Sequence, residues 1–466
     1  MNVKNLIKGA FFSVVIILSS CSKSSDDITA IAGCMDQMAT NYNASATEDD
    51  GSCVYPVDCD GIENGLAMED DCGVCHKSYV YQGMGVLTTV DTYADTAGLT
   101  GGLVLAGSPA DVLNNPGWNA TCSGYFFYAD GYSTVSYSGQ TARLNMVAEM
   151  MGALANSSTT ESMLVGMFDH QAGNADFADA DLNASSKQIK SKTAAGLENS
   201  LSSAQADAVV ARFGVWFADY AENVAPIMDG DENSHPASVN TAGWVGNREL
   251  NAKGMEYDQI VAKSLIGALC LDQVVNSYLS PSKLDVDNTL RSPDEDNNAT
   301  AMEHHWDEAF GYVYGKFGPK NTNGDLSGDG LLGKYLNKFP QWKDDVFNAF
   351  KAGREAIVAG DMAARDANAD IIKETLSKVT AQKAIDYLES SAAYDDLSAD
   401  YFHALSEGYG FILSLQFTVS STGLPYFSHD EVNIMLDALE LGNGLWDRSD
   451  SELTQMANDI KSVTGL

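Results

Sequence analysis

Gly254-Met255-Glu256-Tyr257-Asp258-Gln259-Ile260-Val261-Ala262-Lys263-Ser264-Leu265-Ile266-Gly267-Ala268-Leu269-Cys270-Leu271-Asp272-Gln273-Val274-Val275-Asn276-Ser277-Tyr278-Leu279 decides the fold class. Its apolar residues fall on nearly every side of a helix, and a helix apolar all round belongs inside a protein. An internal helix needs other helices around it, and the flanking sequence offers them. Leu144, Val147, Ala148 and Met151 keep helical spacing. Val209, Phe213, Trp216, Phe217 and Tyr220 share one side of an amphipathic run from Ala204 to Val224. Trp342 to Ala359 reads as one helix, and Met362 to Tyr394 as one long helix or two. Two short helices close the chain. Strand signals nearly vanish after residue 140. The main body, residues 136–466, is therefore expected to be all-α, a helical bundle or two stacked bundles.

The N-terminal part is different. Lys4 and Lys8 precede Phe11-Phe12-Ser13-Val14-Val15-Ile16-Ile17-Leu18, an apolar core too short to span a bilayer. Leu18-Ser19-Ser20-Cys21 resembles a bacterial lipobox, so residues 1–20 are expected to be a lipoprotein signal peptide and Cys21 the lipidated N-terminus. Residues 21–31 read as a polar tether, and the acidic Asp26 and Asp27 resemble an export tag for the outer cell surface. The expected location is the outer membrane, facing the periplasm or the outside. No second run reads as long and uncharged enough to cross a membrane.

Residues 32–77 hold Cys34, Cys53, Cys59, Cys72 and Cys75. In an exported chain that density predicts a small disulfide-rich module. Cys34 with Cys53 is the first expected pair. Cys59, Cys72 and Cys75 are an odd set, so one of them is expected to reach Cys122. Cys270 reads as a buried free thiol. The many Asp and Asn residues suit turns better than calcium. Residues 78–135 read as an irregular linker region of loop and short strands.

The chain has 27 basic and 64 acidic residues, a formal net charge of −37. Such a surface repels nucleic acid and anionic headgroups.

Two helices carry the candidate chemistry. Met302-Glu303-His304-His305-Trp306-Asp307-Glu308 places His304 and His305 three or four residues before Glu308. His403-Ala404-Leu405-Ser406-Glu407 repeats the pairing. Met302, Trp306, Ala309, Val313 and Phe317 form the first helix's core face, with Glu303 and Asp307 pointing outward. Glu256 shares a stripe with Lys263 and Gly267, so it either completes a carboxylate-rich site or pairs with Lys263. If the helices meet, His305, Glu308, His403 and Glu407, with His304 and Glu256, could hold iron or zinc. The alternative is that these groups bond one another and fix helix register. A zinc peptidase is disfavoured, because the His-x-x-Glu-His pattern lacks its second histidine. Asp325-Leu326-Ser327-Gly328-Asp329-Gly330 resembles half a calcium loop, but Leu336 stands where a bidentate Glu is needed.

Val135-Ser136-Tyr137-Ser138-Gly139-Gln140-Thr141-Ala142-Arg143-Leu144, the Glu303-to-Tyr312 and His403-to-Phe411 stretches and Asn443-Gly444-Leu445-Trp446 resemble an uncharacterised lipoprotein family of Gram-negative bacteria, the DUF4856 type. The resemblance covers about residues 125–466. A looser one is to imelysin-like proteins, helical envelope proteins with a Gly-x-His-x-x-Glu motif. His305 and Glu308 match its last part, while Glu303 stands in the glycine's place. That resemblance implies iron- or haem-related binding rather than hydrolysis. The expectation is an envelope lipoprotein whose helical domain binds a metal or metal-bearing ligand. The alternative is a surface binding or scaffolding lipoprotein for protein, peptide or glycan without metal chemistry.

Overall fold

The computed structural model describes residues 30–37, 39–69, 75–81, 87–100, 102–104, 124–129, 132–292, 298–318, 324–394 and 397–466. The signal peptide, Cys21, Cys72 and Cys122 lie outside them. Cys75 is described only as strand backbone.

Two compact units divide the chain at Gly65. The first is held by the Cys34–Cys53 disulfide, the pair expected from sequence. Cys59 is disulfide-bonded as well. The acidic residues here serve turns. Asp49 Oδ1 accepts from the Gly51 amide, Asp50 Oδ1 from the Ser52 amide, and Asp58 Oδ1 from the Asp60 and Ile62 amides. This unit ends before residue 77 because Leu66 belongs to the second unit. Its side chain is buried with Val80 and Val90, and its carbonyl accepts from the Ser78 hydroxyl. Ser78–Tyr81 pairs antiparallel with Leu87–Val90 and with Gly102–Val104.

Among the described residues thirteen α-helices follow: α1 Ser138–Ala153, α2 Glu161–Phe168, α3 Ala180–Ala184, α4 Ser203–Asp219, α5 Tyr257–Leu265, α6 Pro281–Leu284, α7 Ala301–Tyr314, α8 Leu332–Leu336, α9 Pro340–Ala359, α10 Met362–Ala392, α11 Ala399–Ser414, α12 His429–Glu440 and α13 Asp450–Thr464. The all-α expectation holds. Side chains from α1 through α13 belong to one continuous apolar core, so there is one bundle and not two stacked ones. Helix α10 is a single long helix against α9, α11 and α13. The amphipathic run in α4 buries Val209, Phe213, Trp216 and Phe217. A hairpin, Gly243–Val245 with Arg248–Leu250, interrupts the helices just before α5.

The stretch from Gly254 to Leu279 is a central rod, but not a plain α-helix. After α5 it continues in π-helical turns at Ile266–Leu271 and Val274–Tyr278. Tyr257–Tyr278 is long and apolar enough to cross a membrane, contrary to the expectation that no such run exists. Its most apolar window is wholly buried in the protein, which is the setting of a core helix. Helix α11 packs along the first part of this rod and α7 against its last part. Close approach to α11 depends on small residues. A Cβ on Gly267 would stand 2.2 Å from Ser414 Cβ, and one on Gly410 2.5 Å from Lys263 Cβ.

Candidate functional site

Glu256 ends the loop before α5 and is 2 % exposed. Its amide donates to Ser406 Oγ on α11. Its carboxylate accepts from His403 Nδ1 at 2.7 Å and from Arg248 of the hairpin at 3.1 Å. Glu256 therefore pairs with His403 and Arg248, not with Lys263. One turn along α11, Glu407 lies 3.7 Å from His403 Nε2. Glu407 is bound by the Lys263 ammonium at 2.9 Å and accepts from the Tyr335 hydroxyl at 3.0 Å. Burial pushes the Glu407 carboxyl up, but Lys263 and the hydrogen bonds outweigh it and hold the group below its ordinary value. His403 thus stands between two carboxylates, each already neutralised by a basic residue.

His305 lies elsewhere. Its Nδ1 donates to the Lys283 carbonyl at 2.6 Å, which leaves Nε2 as the acceptor facing the Lys283 ammonium at 3.4 Å. Burial, with Lys283 adding to it, holds this imidazole below its ordinary value. The partner of Glu308 is His304, at 3.8 Å, rather than His305. Glu308 also accepts from Gln140 at 3.0 Å and Tyr278 at 3.2 Å. The Lys192 and Lys283 ammoniums sit 5.4 Å and 6.0 Å from the Tyr278 ring centre.

The six predicted residues consequently form two clusters. Glu256, His403 and Glu407 stand at the start of the central rod, and His304, His305 and Glu308 at its end beside Tyr278. From Glu256 to Tyr278 the rod rises about 30 Å at 1.5 Å per residue. Among the described residues His305 and His403 take separate partners, Lys283 and Glu256. Iron or zinc needs three or more converging His, Cys, Asp or Glu donors. Among the described residues no such group is assembled. In both clusters a lysine ammonium stands against one of these groups, Lys263 beside Glu407 and Lys283 beside His305. The residues present do not fit a transition metal. Of the half calcium loop, Asp325 caps Ser327 and Asp329 accepts from the Leu331 amide, while Leu336 is buried in α8; Asn321, Thr322 and Asn323 lie outside the described residues.

Glu303 and Asp307 do not point outward as expected. They are 1 % and 0 % exposed, not outward-facing, whereas Phe317 is exposed. The reason is Arg354 of α9, fully buried, which binds Glu303 at 3.1 Å and Asp307 at 3.1 Å. Arg291 adds a second contact to Glu303 at 2.7 Å, and Tyr125 donates to Asp307 at 2.6 Å. Burial raises the Asp307 carboxyl to about 6 despite Arg354. One part of this was visible in the sequence. Thr300-Ala301-Met302-Glu303 is a capping box, and both its hydrogen bonds are present.

Comparisons with curated proteins and with solved structures return no match. None of the comparisons returns an imelysin-like protein. Residues 122–466, the helical body and both clusters included, match the family model described as domain of unknown function DUF4856. The chain belongs to the DUF4856 family.

Proposed function

We propose that this protein is an envelope lipoprotein, tethered through Cys21, whose helical domain is a binding module that works without a metal ion. The observation supporting this reading is the lysine in each histidine cluster. Lys263 neutralises Glu407, and Lys283 faces the open nitrogen of His305. A divalent cation entering either place would meet an ammonium at close range, and like charges in a partly desolvated setting repel strongly. Catalysis is not favoured either. His403 and His305 each give one ring nitrogen to a fixed internal partner, and no Ser or Cys nucleophile is hydrogen-bonded to them among the described residues. The lipobox-like Leu18-Ser19-Ser20-Cys21 supports the tether.

The test uses the full chain, untagged, in a bacterium with an outer membrane. Expected is recovery in the membrane fraction, loss of membrane retention in Cys21→Ser, and a thermal midpoint unmoved by chelator. A stoichiometric transition metal whose removal lowers that midpoint would overturn the metal-free reading. Unchanged membrane retention in Cys21→Ser would overturn the tether.

A further inference from the structure

Basic residues are scarce in this chain, yet four lysines converge on one aromatic ring. The ammoniums of Lys338, Lys334, Lys263 and Lys383 lie 5.0, 5.6, 6.0 and 6.0 Å from the centre of the Tyr335 ring. They come from different elements: Lys263 from α5, Lys334 and Lys338 from α8 and its C-terminal turn, Lys383 from α10. Tyr335 is 1 % exposed and Lys263 and Lys383 are buried, while Lys334 and Lys338 are exposed. The group is therefore fixed on the inside and open on the outside.

The charges do not cancel. Lys263 is paired with Glu407 at 2.9 Å and Lys383 with Asp386 at 2.9 Å. Among the described residues the ion pairs in this group are those of Lys263 and Lys383, and Lys334 and Lys338 take part in none. Four ammoniums against two carboxylates leave two positive charges. Lys338 feels the crowding. Although its surface is exposed, the partial burial of its ammonium depresses its pKa first, and Lys383, Lys334 and Lys263 depress it further against Glu407. A set of like charges held this close by the fold is relieved by an anion.

We propose that Lys263, Lys334, Lys338 and Lys383 form a receptor for the phosphate group of a small soluble ligand. Phosphate fits the surplus, since a phosphate monoester carries about −1.5 to −2 charge at pH 7 and offers three acceptor oxygens. The exposed Lys334 and Lys338 make the first contacts, and the buried pair sets the depth. The overall charge of −37 argues against an anionic membrane as the source. It does not forbid a small anion, because at physiological salt fields fade within about 8 Å and the local lysines dominate. This assignment rests on the binding-module reading above and names the ligand class.

The experiment is calorimetric titration of the full untagged chain with inorganic phosphate, sulfate and chloride at constant ionic strength, with the metal content of the same sample measured. Expected is saturable phosphate binding that exceeds sulfate and chloride binding. Lys334→Gln and Lys338→Gln should each weaken it about tenfold. Lys190→Gln, a surface lysine paired with Asp169, should leave it unchanged. Equal binding of all three anions, or binding indifferent to Lys334 and Lys338, would overturn the receptor. Binding to phosphatidic acid vesicles but not to inorganic phosphate would overturn the soluble source. A metal in the sample with lysine-dependent phosphate binding intact would sink the metal-free reading and leave the receptor standing.

Discussion

Replacing Lys263 by Met removes the ammonium 2.9 Å from Glu407 while keeping most of the apolar stem. The Glu407 side chain is 9 % exposed and retains the Tyr335 hydroxyl at 3.0 Å and His403 at 3.7 Å. Burial pushes its carboxyl up, and Lys263 is the foremost force holding it below its ordinary 4.5. Without Lys263 the balance shifts towards burial, and the expected outcome is that the folded protein takes up a proton there. Protonating a group of pKa 4.5 at pH 7 costs about 1.36 × 2.5, roughly 3.4 kcal/mol, and at pH 5 only about 0.7 kcal/mol. The signs agree. In the wild type a lowered pKa gives stability that is present above 4.5 and lost as pH falls through the folded value. In the variant a raised pKa gives a penalty that grows as pH rises above 4.5. The expected loss at pH 7 is therefore about 3–5 kcal/mol, the range for breaking a buried pair. Urea unfolding followed by tryptophan fluorescence at pH 7 and pH 5 measures it. Lys263→Met/Glu407→Gln should recover much of the loss at pH 7, because no charge is left buried alone. An equal loss at both pH values, or no recovery in the double variant, would refute the reasoning.

Other expectations concern the core. Gly267→Ala places a methyl against Ser414 and should cost about 1–3 kcal/mol by overpacking, read as a lower unfolding midpoint. Arg354→Met leaves Asp307 with Tyr125 alone, and its loss should approach 3–5 kcal/mol at pH 7 and shrink towards pH 5 as Asp307 is neutralised. Cys270 is buried and burial raises its thiol strongly, so an aromatic disulfide reagent should label it in urea but not in the folded protein.

The helices were legible because their apolar spacing is local information. The Val209-to-Tyr220 face and the rod from Ile260 to Tyr278 are buried as their patterns require. The π-helical turns inside that rod were not legible, since burial on all sides erases the phase that periodicity reads. The candidate site was legible only in parts. Spacing offered both His305 and His304 to Glu308 and favoured His305, whereas His304 is the one beside it; it offered His403 to Glu407, and these stand 3.7 Å apart. It carried no information on which end of the rod each pair would occupy. Glu256 was read as completing a carboxylate-rich site or pairing with Lys263; its bond to Arg248 instead depends on a hairpin that sequence reading passed over. Glu303 and Asp307 were misplaced because their cation, Arg354, comes from a later helix. The four lysines around Tyr335 come from three separate parts of the chain, and nothing in the sequence reading brought them together.

The most direct measurement is calorimetric titration of zinc and of ferrous iron into the untagged full chain, beside His403→Ala and His305→Ala. With lysine ammoniums already seated at Glu407 and His305, wild type and both variants should give the same small, unsaturable heats. One-to-one binding in the wild type that disappears in either variant would contradict the account.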